Sequence, residues 1–406
     1  MKEISARARA YVSPFDWGPA ITRYEIEFDA PVQLGDAKDL LVGELHQDAP
    51  QFSMHVPPEL KLEVRQPKTV ELSEDGKTLT LSYDPQPFEG NPFVFYEMYN
   101  RWSQPFRLQL ETHEPDTLTS EGEPVKVRID ETVEFHTPVD DLFWGTFKAG
   151  DGLELEYGLA ENPDADTLLV WLHGLGEGGY RDNDHIDGRT IWLAAKVSAL
   201  LSKDFQKQVP CSILTPQSPT FWMDETGEGT SLLESTENVI KEGISVYTTA
   251  LHELIEVIRK QTGAKKVIIA GCSNGGYMSL LLARDFGKEY DAYLPICEPM
   301  PDKLLSDSQI EELAALPMYF IYAKTDDVIG IEDTVIPTLE RLEKVEGNQT
   351  QSAVLERVED TTGRYLLNGK PLEYPGHWSW MYFFNDNCQS QDGLHPWKWL
   401  ADQLTK

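Results

Sequence analysis

The sequence predicts two domains: an all-β domain, followed by an α/β domain with a mostly parallel sheet and helices on both faces. Three observations carry this expectation. Over residues 1–137, short runs of alternating apolar and polar residues follow one another between turn residues. Over residues 138–406, continuous apolar runs end in polar or Gly-rich loops and alternate with amphipathic stretches. A chain of 406 residues has length enough for two such cores.

In the first part, ITRYEIEFDAPV places Ile21, Tyr24, Ile26 and Phe28 among polar partners. ELSEDGKTLTLSY carries Asp75-Gly76 between two alternating runs, the signature of a hairpin. LKLEVR, FRLQLET and VKVRIDETVEF add further strands, and six or seven strands without helical period suggest an immunoglobulin-like β-sandwich. The stretch Glu114 to Pro124, rich in Thr, Ser, Glu and Pro, reads as a loop or linker. In the second part the strands are TLLVWLHG, CSILTPQSP, KVIIAGCSNGG, AYLPIC and PMYFIYAKTDD. Helices are expected over TIWLAAKVSALLSK, STENVIKEGISVYTTALHELIEVIRKQTG, YMSLLLARDFG and DTVIPTLERLEKVEG. Ligands of such sheets sit at the carboxyl ends of the strands, so functional residues should follow the strands directly.

Charge narrows the partners. Against 35 Lys and Arg stand 68 Asp and Glu, a formal net charge of −33. Such a field repels phosphate backbones and anionic bilayers, so neither nucleic acid nor membrane is an expected partner. Cys211, Cys272, Cys297 and Cys388 form no CxxC pair, and the opening MKEISARARAYVSPFDW has no apolar run of signal-peptide length. A cytoplasmic location with reduced thiols is the expectation. Asp182, Asp184, His185 and Asp187 fit no specific ligand spacing and read as a solvated loop.

The strongest chemical signal is Gly271-Cys272-Ser273-Asn274-Gly275-Gly276, between the apolar run KVIIA and the helical run YMSLLLARDF. G-x-S-x-G between strand and helix is a nucleophile elbow, a turn sharp enough to expose its central side chain above the sheet. Ser273 is therefore the candidate nucleophile. Cys272 sits one position early and reads as a buried thiol. The helix that follows turns its positive end toward the site.

Acyl transfer needs two N–H donors aimed at the developing oxyanion. One is the backbone of Asn274. The other belongs to the loop His173-Gly174-Leu175-Gly176-Glu177-Gly178-Gly179 after TLLVWL, with Leu175 preferred and Gly174 or Gly176 as alternatives. His173 reads as a brace for that loop. Only two of the nine histidines follow Ser273. His377, in Tyr374-Pro375-Gly376-His377-Trp378, is the preferred base, whereas His395 precedes the short helix PWKWLADQL and suits a cap. PMYFIYAKT ends at Asp326-Asp327, and Asp326, the first carboxylate off the strand, is preferred over Asp327 as the group that orients the imidazole.

With these residues placed, the chain resembles bacterial esterases that join an N-terminal immunoglobulin-like domain to an α/β-hydrolase domain. These are relatives of the prolyl oligopeptidase, feruloyl esterase and polyhydroxybutyrate depolymerase groups. LHGLGEGG, TPQSPTFW, GCSNGGYMS, LPICEP, the strand end at Asp326 and GHWSW carry the resemblance. It implies an α/β-hydrolase fold and a triad of Ser273, Asp326 and His377 without metal or organic cofactor. It also implies a cleft bordered by Pro216 to Trp222, with Trp222 and Trp378 as substrate-binding candidates. A small-molecule ester is the implied substrate, and a homo-oligomer formed through the N-terminal domain is a possible assembly. One departure from the pattern is LLNGKPLEY, which reads as an inserted hairpin turning at Asn368-Gly369 before His377. The rival readings are a serine peptidase and a binding protein on an inactive hydrolase scaffold.

Overall fold

The structure is a computed structural model that describes residues 2–49, 56–112, 114–179, 186–228 and 240–405. The chain forms two compact units, Met1–Asp140 and Asp141–Lys406.

The first unit is all β apart from one 3-10 turn, with twelve strands among the described residues. In its seven-stranded sheet, the long strand Lys2–Phe15 pairs antiparallel with Gly18–Phe28 and parallel with Glu123–His136. A three-stranded sheet sets Leu40–Asp48 between Arg107–Thr112 and Glu59–Arg65. The two sheets share one core: Ile4, Tyr24, Ile26, Leu79 and Leu81 pack in the same cluster as Leu40, Val42 and Leu108. The expected hairpin turns at Gly76, whose φ of 67° suits glycine, and aligns Leu72 with Leu79. The stretch read as a linker instead contains the strand Leu118–Ser120, paired on both sides.

The second unit is built on one eight-stranded sheet. Its strands, numbered within this unit, are β1 (Phe143–Lys148), β2 (Glu154–Ala160), β3 (Thr167–Leu172), β4 (Ser212–Gln217), β5 (Lys266–Cys272), β6 (Ala292–Ile296), β7 (Met318–Ala323) and β8 (Thr350–Leu355). They lie in the order β1-β2-β4-β3-β5-β6-β7-β8. The first three in that order pair antiparallel and the rest parallel. Every residue of β3, β4, β6 and β7 is buried, as strands covered on both faces require.

Two expected helices are shorter than their sequence patterns. TIWLAAKVSALLSK breaks at Lys196, which takes a left-handed φ of 61°, into the helix Arg189–Ala194 and the 3-10 turn Val197–Leu201. In STENVIKEGISVYTTALHELIEVIRKQTG only Thr248–Thr262 is helical over residues 240–263, with Gly243 at φ 70° ahead of it; residues 235–239 lie outside the described ones. Of the acidic loop, Asp182, Asp184 and His185 also lie outside the described residues.

Candidate active site

Ser273 directly follows β5 and caps the helix Asn274–Phe286 with φ 54° and ψ −120°, a backbone that L residues rarely adopt. The flanking glycines make that turn possible. A Cβ on Gly275 would lie 2.0 Å from the Leu172 carbonyl oxygen, and one on Gly271 would lie 2.5 Å from that of Gly275. A Cβ on Gly276 would lie 2.6 Å from the Ile296 oxygen. The helix start is thus pressed against the ends of β3 and β6, at Leu172-His173 and Ile296. The Ser273 N–H donates to Ile296 O at 2.9 Å, and the Ser273 carbonyl accepts the first helical bond from Tyr277.

His377 reaches the elbow from the far end of the chain. Its Nε2 lies 2.8 Å from Ser273 Oγ and its Nδ1 lies 2.8 Å from Asp326 Oδ2. The Asp326 side chain is fully enclosed, and its Oδ1 accepts from the N–H groups of Val328 and Ile329 at 3.0 and 3.2 Å. Gly376 sets the approach: a Cβ there would sit 2.1 Å from the Thr325 oxygen, so only glycine lets the turn before His377 lie against the end of β7. Trp380 meets the imidazole edge-on at 5.6 Å between ring centroids. Asp327 makes no contact with the imidazole among the hydrogen bonds of the described residues.

Leu175 opens a 3-10 turn, Leu175–Glu177, after Gly174 in extended backbone. Its N–H, like that of Asn274 at the helix start, falls among the groups that a helical turn leaves without an intrahelical partner. His173 holds this loop: Nδ1 donates to Gly174 O at 2.5 Å and Nε2 accepts from Ser218 N at 3.1 Å. Burial pushes His173 down to about 4, so it braces as a neutral imidazole.

The remaining residues divide between cleft and core. Trp378 is half-buried, packed near Tyr374 and Trp380. Trp222 is 0% exposed, enclosed beside His173 and Tyr247 at centroid distances of 5.1 and 6.2 Å. That corrects the expectation of a substrate contact: as placed, Trp222 presents no face to a ligand and packs against His173. Cys272 is buried, and burial raises its thiol well above the ordinary range. Donor atoms of Cys297, Asp326 and His377 lie within 4.8 Å of one another. Two of the three are engaged in the Ser273 chain, and burial raises the Cys297 thiol well above its ordinary range.

Two features escaped sequence reasoning. The Asn274 side chain is fully buried and its Oδ1 accepts from Met223 N at 2.9 Å, latching the loop after β4 to the helix start. Glu298, two residues beyond β6, is also fully buried; its Oε2 accepts from Met300 N at 2.7 Å while Oε1 has no partner. A charged residue after an otherwise apolar strand in LPICEP was the available signal. Burial pushes the Glu298 carboxyl up to about 8. Because the folded state binds this proton more tightly than the unfolded chain, the associated stability is present at acid pH and is lost as pH rises from about 4.5 through about 8. At about 1.4 kcal/mol per pH unit, the loss is of the order of 5 kcal/mol. Melting temperature measured from pH 5 to 9 should fall across that window, and Glu298→Gln should flatten the fall. An equal slope in the variant would remove Glu298 from the account.

No family profile and no curated protein sequence matches the chain. Solved structures do. A thermostable esterase covers 95% of this chain with 96% of its own, at TM-score 0.61 and 19% identity. That likeness establishes the fold class: an α/β-hydrolase fold joined to an N-terminal all-β unit. Partial matches include an esterase of Pyrococcus furiosus, Pf2001, at 12% identity and TM-score 0.40, covering 65% of this chain and 92% of that one. Est1E from Butyrivibrio proteoclasticus is 13% identical at TM-score 0.38, covering 65% and 99%.

Proposed function

We propose that the chain is a serine-dependent carboxylic ester hydrolase working through an acyl-enzyme. The observation that carries this reading is the continuous hydrogen-bond chain from Ser273 Oγ through His377 to Asp326, both links 2.8 Å, mounted on a strained elbow. In the reaction, Ser273 Oγ attacks the ester carbonyl while His377 Nε2 takes its proton. His377 then returns that proton to the departing alcohol, and water hydrolyses the acyl-Ser273 by the same relay in reverse. Asp326 keeps the Nδ1 proton directed away from Ser273 and stabilises the imidazolium. The N–H groups of Leu175 and Asn274 receive the oxyanion, and Trp378 borders the acyl or alcohol group. The working location is the cytoplasm, and assembly into a homo-oligomer runs through the N-terminal unit.

A fluorophosphonate probe tests the nucleophile directly, because it phosphonylates only an activated serine. Mass spectrometry of the digested adduct should place the label on Ser273 and nowhere else. Aryl esters of increasing acyl length, assayed beside peptide amides, should be turned over in preference to the amides. Labelling elsewhere overturns the assignment, whereas faster amide cleavage would make the protein a peptidase.

A further inference from the structure

The N-terminal unit buries a second cluster of ionisable side chains. In the strand Leu40–Asp48, the alternate residues Leu40, Val42, Glu44 and His46 are all buried, so an apolar row ends in a carboxylate and an imidazole. The neighbouring strand sets Glu63 directly opposite Glu44. Glu44, His46 and Glu63 therefore share one face of a two-strand ladder, and one donor atom from each lies within 4.8 Å of the others.

Two of these buried atoms, Glu44 Oε2 and His46 Nε2, lack a hydrogen-bond partner. The rest of the cluster is arranged to aim them. Glu44 Oε1 is held by Tyr24 Oη and by a guanidinium nitrogen of Arg65, each at 2.9 Å. His46 Nδ1 donates to Gln47 O at 2.9 Å, and Phe106 stacks on the ring at 5.7 Å. With Nδ1 so engaged, Nε2 is the ring nitrogen that faces the carboxylates, which is how metal-binding imidazoles are usually oriented. Nε2 stands 3.5 Å from Glu63 Oε2. An N–H···O bond prefers about 2.7–3.2 Å. Two ligands about 2.1 Å from a tetrahedral ion are separated by about 3.4 Å. Charge is compatible with a cation here, since the Glu44 and Glu63 carboxylates share the Arg65 guanidinium with Glu89, 3.5 Å from it.

We propose that Glu44, His46 and Glu63 form a divalent metal site that clips these two strands together. One imidazole nitrogen with two carboxylate oxygens suits Zn2+ and its neighbours in the first transition series; Mg2+ and Ca2+ prefer all-oxygen sets. Water completes the coordination.

The test uses full-length protein stripped with a chelator, equilibrated with Zn2+, desalted and analysed for metal by mass spectrometry. The wild type should keep roughly one Zn2+ per chain. His46→Gln and Glu63→Gln should each weaken retention by more than about 100-fold. His377→Ala should keep the ion, which separates this site from the donors around the triad. If either strand variant fails to fold, the wild type alone decides: Co2+ should give visible bands of a nitrogen- and oxygen-ligated site that Zn2+ bleaches. Absence of those bands, retention of metal by both strand variants, or its loss in His377→Ala overturns the proposal. A wild type that keeps no Zn2+ would leave a proton on His46, paired with Glu63, as the charge balance.

Discussion

Replacing Ser273 with Ala should lower kcat/KM for a good ester by about a million-fold, the scale on which loss of a triad nucleophile is felt. Labelling by a fluorophosphonate should vanish with it. The fold should survive, because the elbow is held by its glycines and by the Ser273 N–H to Ile296 O, neither of which needs the hydroxyl. Cys272→Ala is the matched control. Its thiol is intrinsically the better nucleophile, but it is 1% exposed, and burial holds it protonated. The Cys272 variant should keep activity within several-fold of wild type. If it lost activity to the same degree with Ser273 intact, the thiol would share the chemistry.

The legible parts of the sequence were those where backbone geometry leaves a residue no choice. Gly271, Gly275 and Gly376 each stand where a Cβ would fall within 2.5 Å of a backbone oxygen, so glycine at those positions announces close approach. Ser273 could be found from such a marker and His377 from its place after Ser273 in the chain, and the turn at Asn368-Gly369 has the positive φ values of 52° and 76° that its residues suggest. Side-chain environment was less legible. A Trp beside a motif is equally compatible with cleft and core, and Trp222 lies in the core against His173. Helical period likewise could not reveal that Lys196 turns left-handed, since an apolar repeat does not report the φ of a single polar residue within it. The inward row of Leu40, Val42, Glu44 and His46 was missed for a related reason. Alternation predicts which residues face inward only when the inward ones are apolar, and here the row turns ionic halfway along.

The same distinction between marker and environment separates the two aspartates after β7. Asp326→Asn should lower turnover by about 10⁴-fold. The amide can accept only through its oxygen, and its nitrogen, placed toward Nδ1, would favour the tautomer with the proton on Nε2. The imidazole would then have no lone pair to offer Ser273 Oγ. Asp326 is also anchored as a pure acceptor, with Oδ1 taking the N–H groups of Val328 and Ile329 and Oδ2 left for His377. An Asn here keeps the first interaction by turning its oxygen toward those N–H groups, which directs its NH2 at the imidazole. The variant should therefore fold normally while failing chemically, so kcat falls with little change in KM. Asp327, which lies outside this network among the described residues, should tolerate Asn with at most a few-fold loss. The comparison is a pair of kcat and KM measurements on one aryl ester, with melting temperature as the check on folding. Equal losses in the two variants, or a larger one at Asp327, would move the orienting carboxylate one residue along and leave Ser273 and His377 in place.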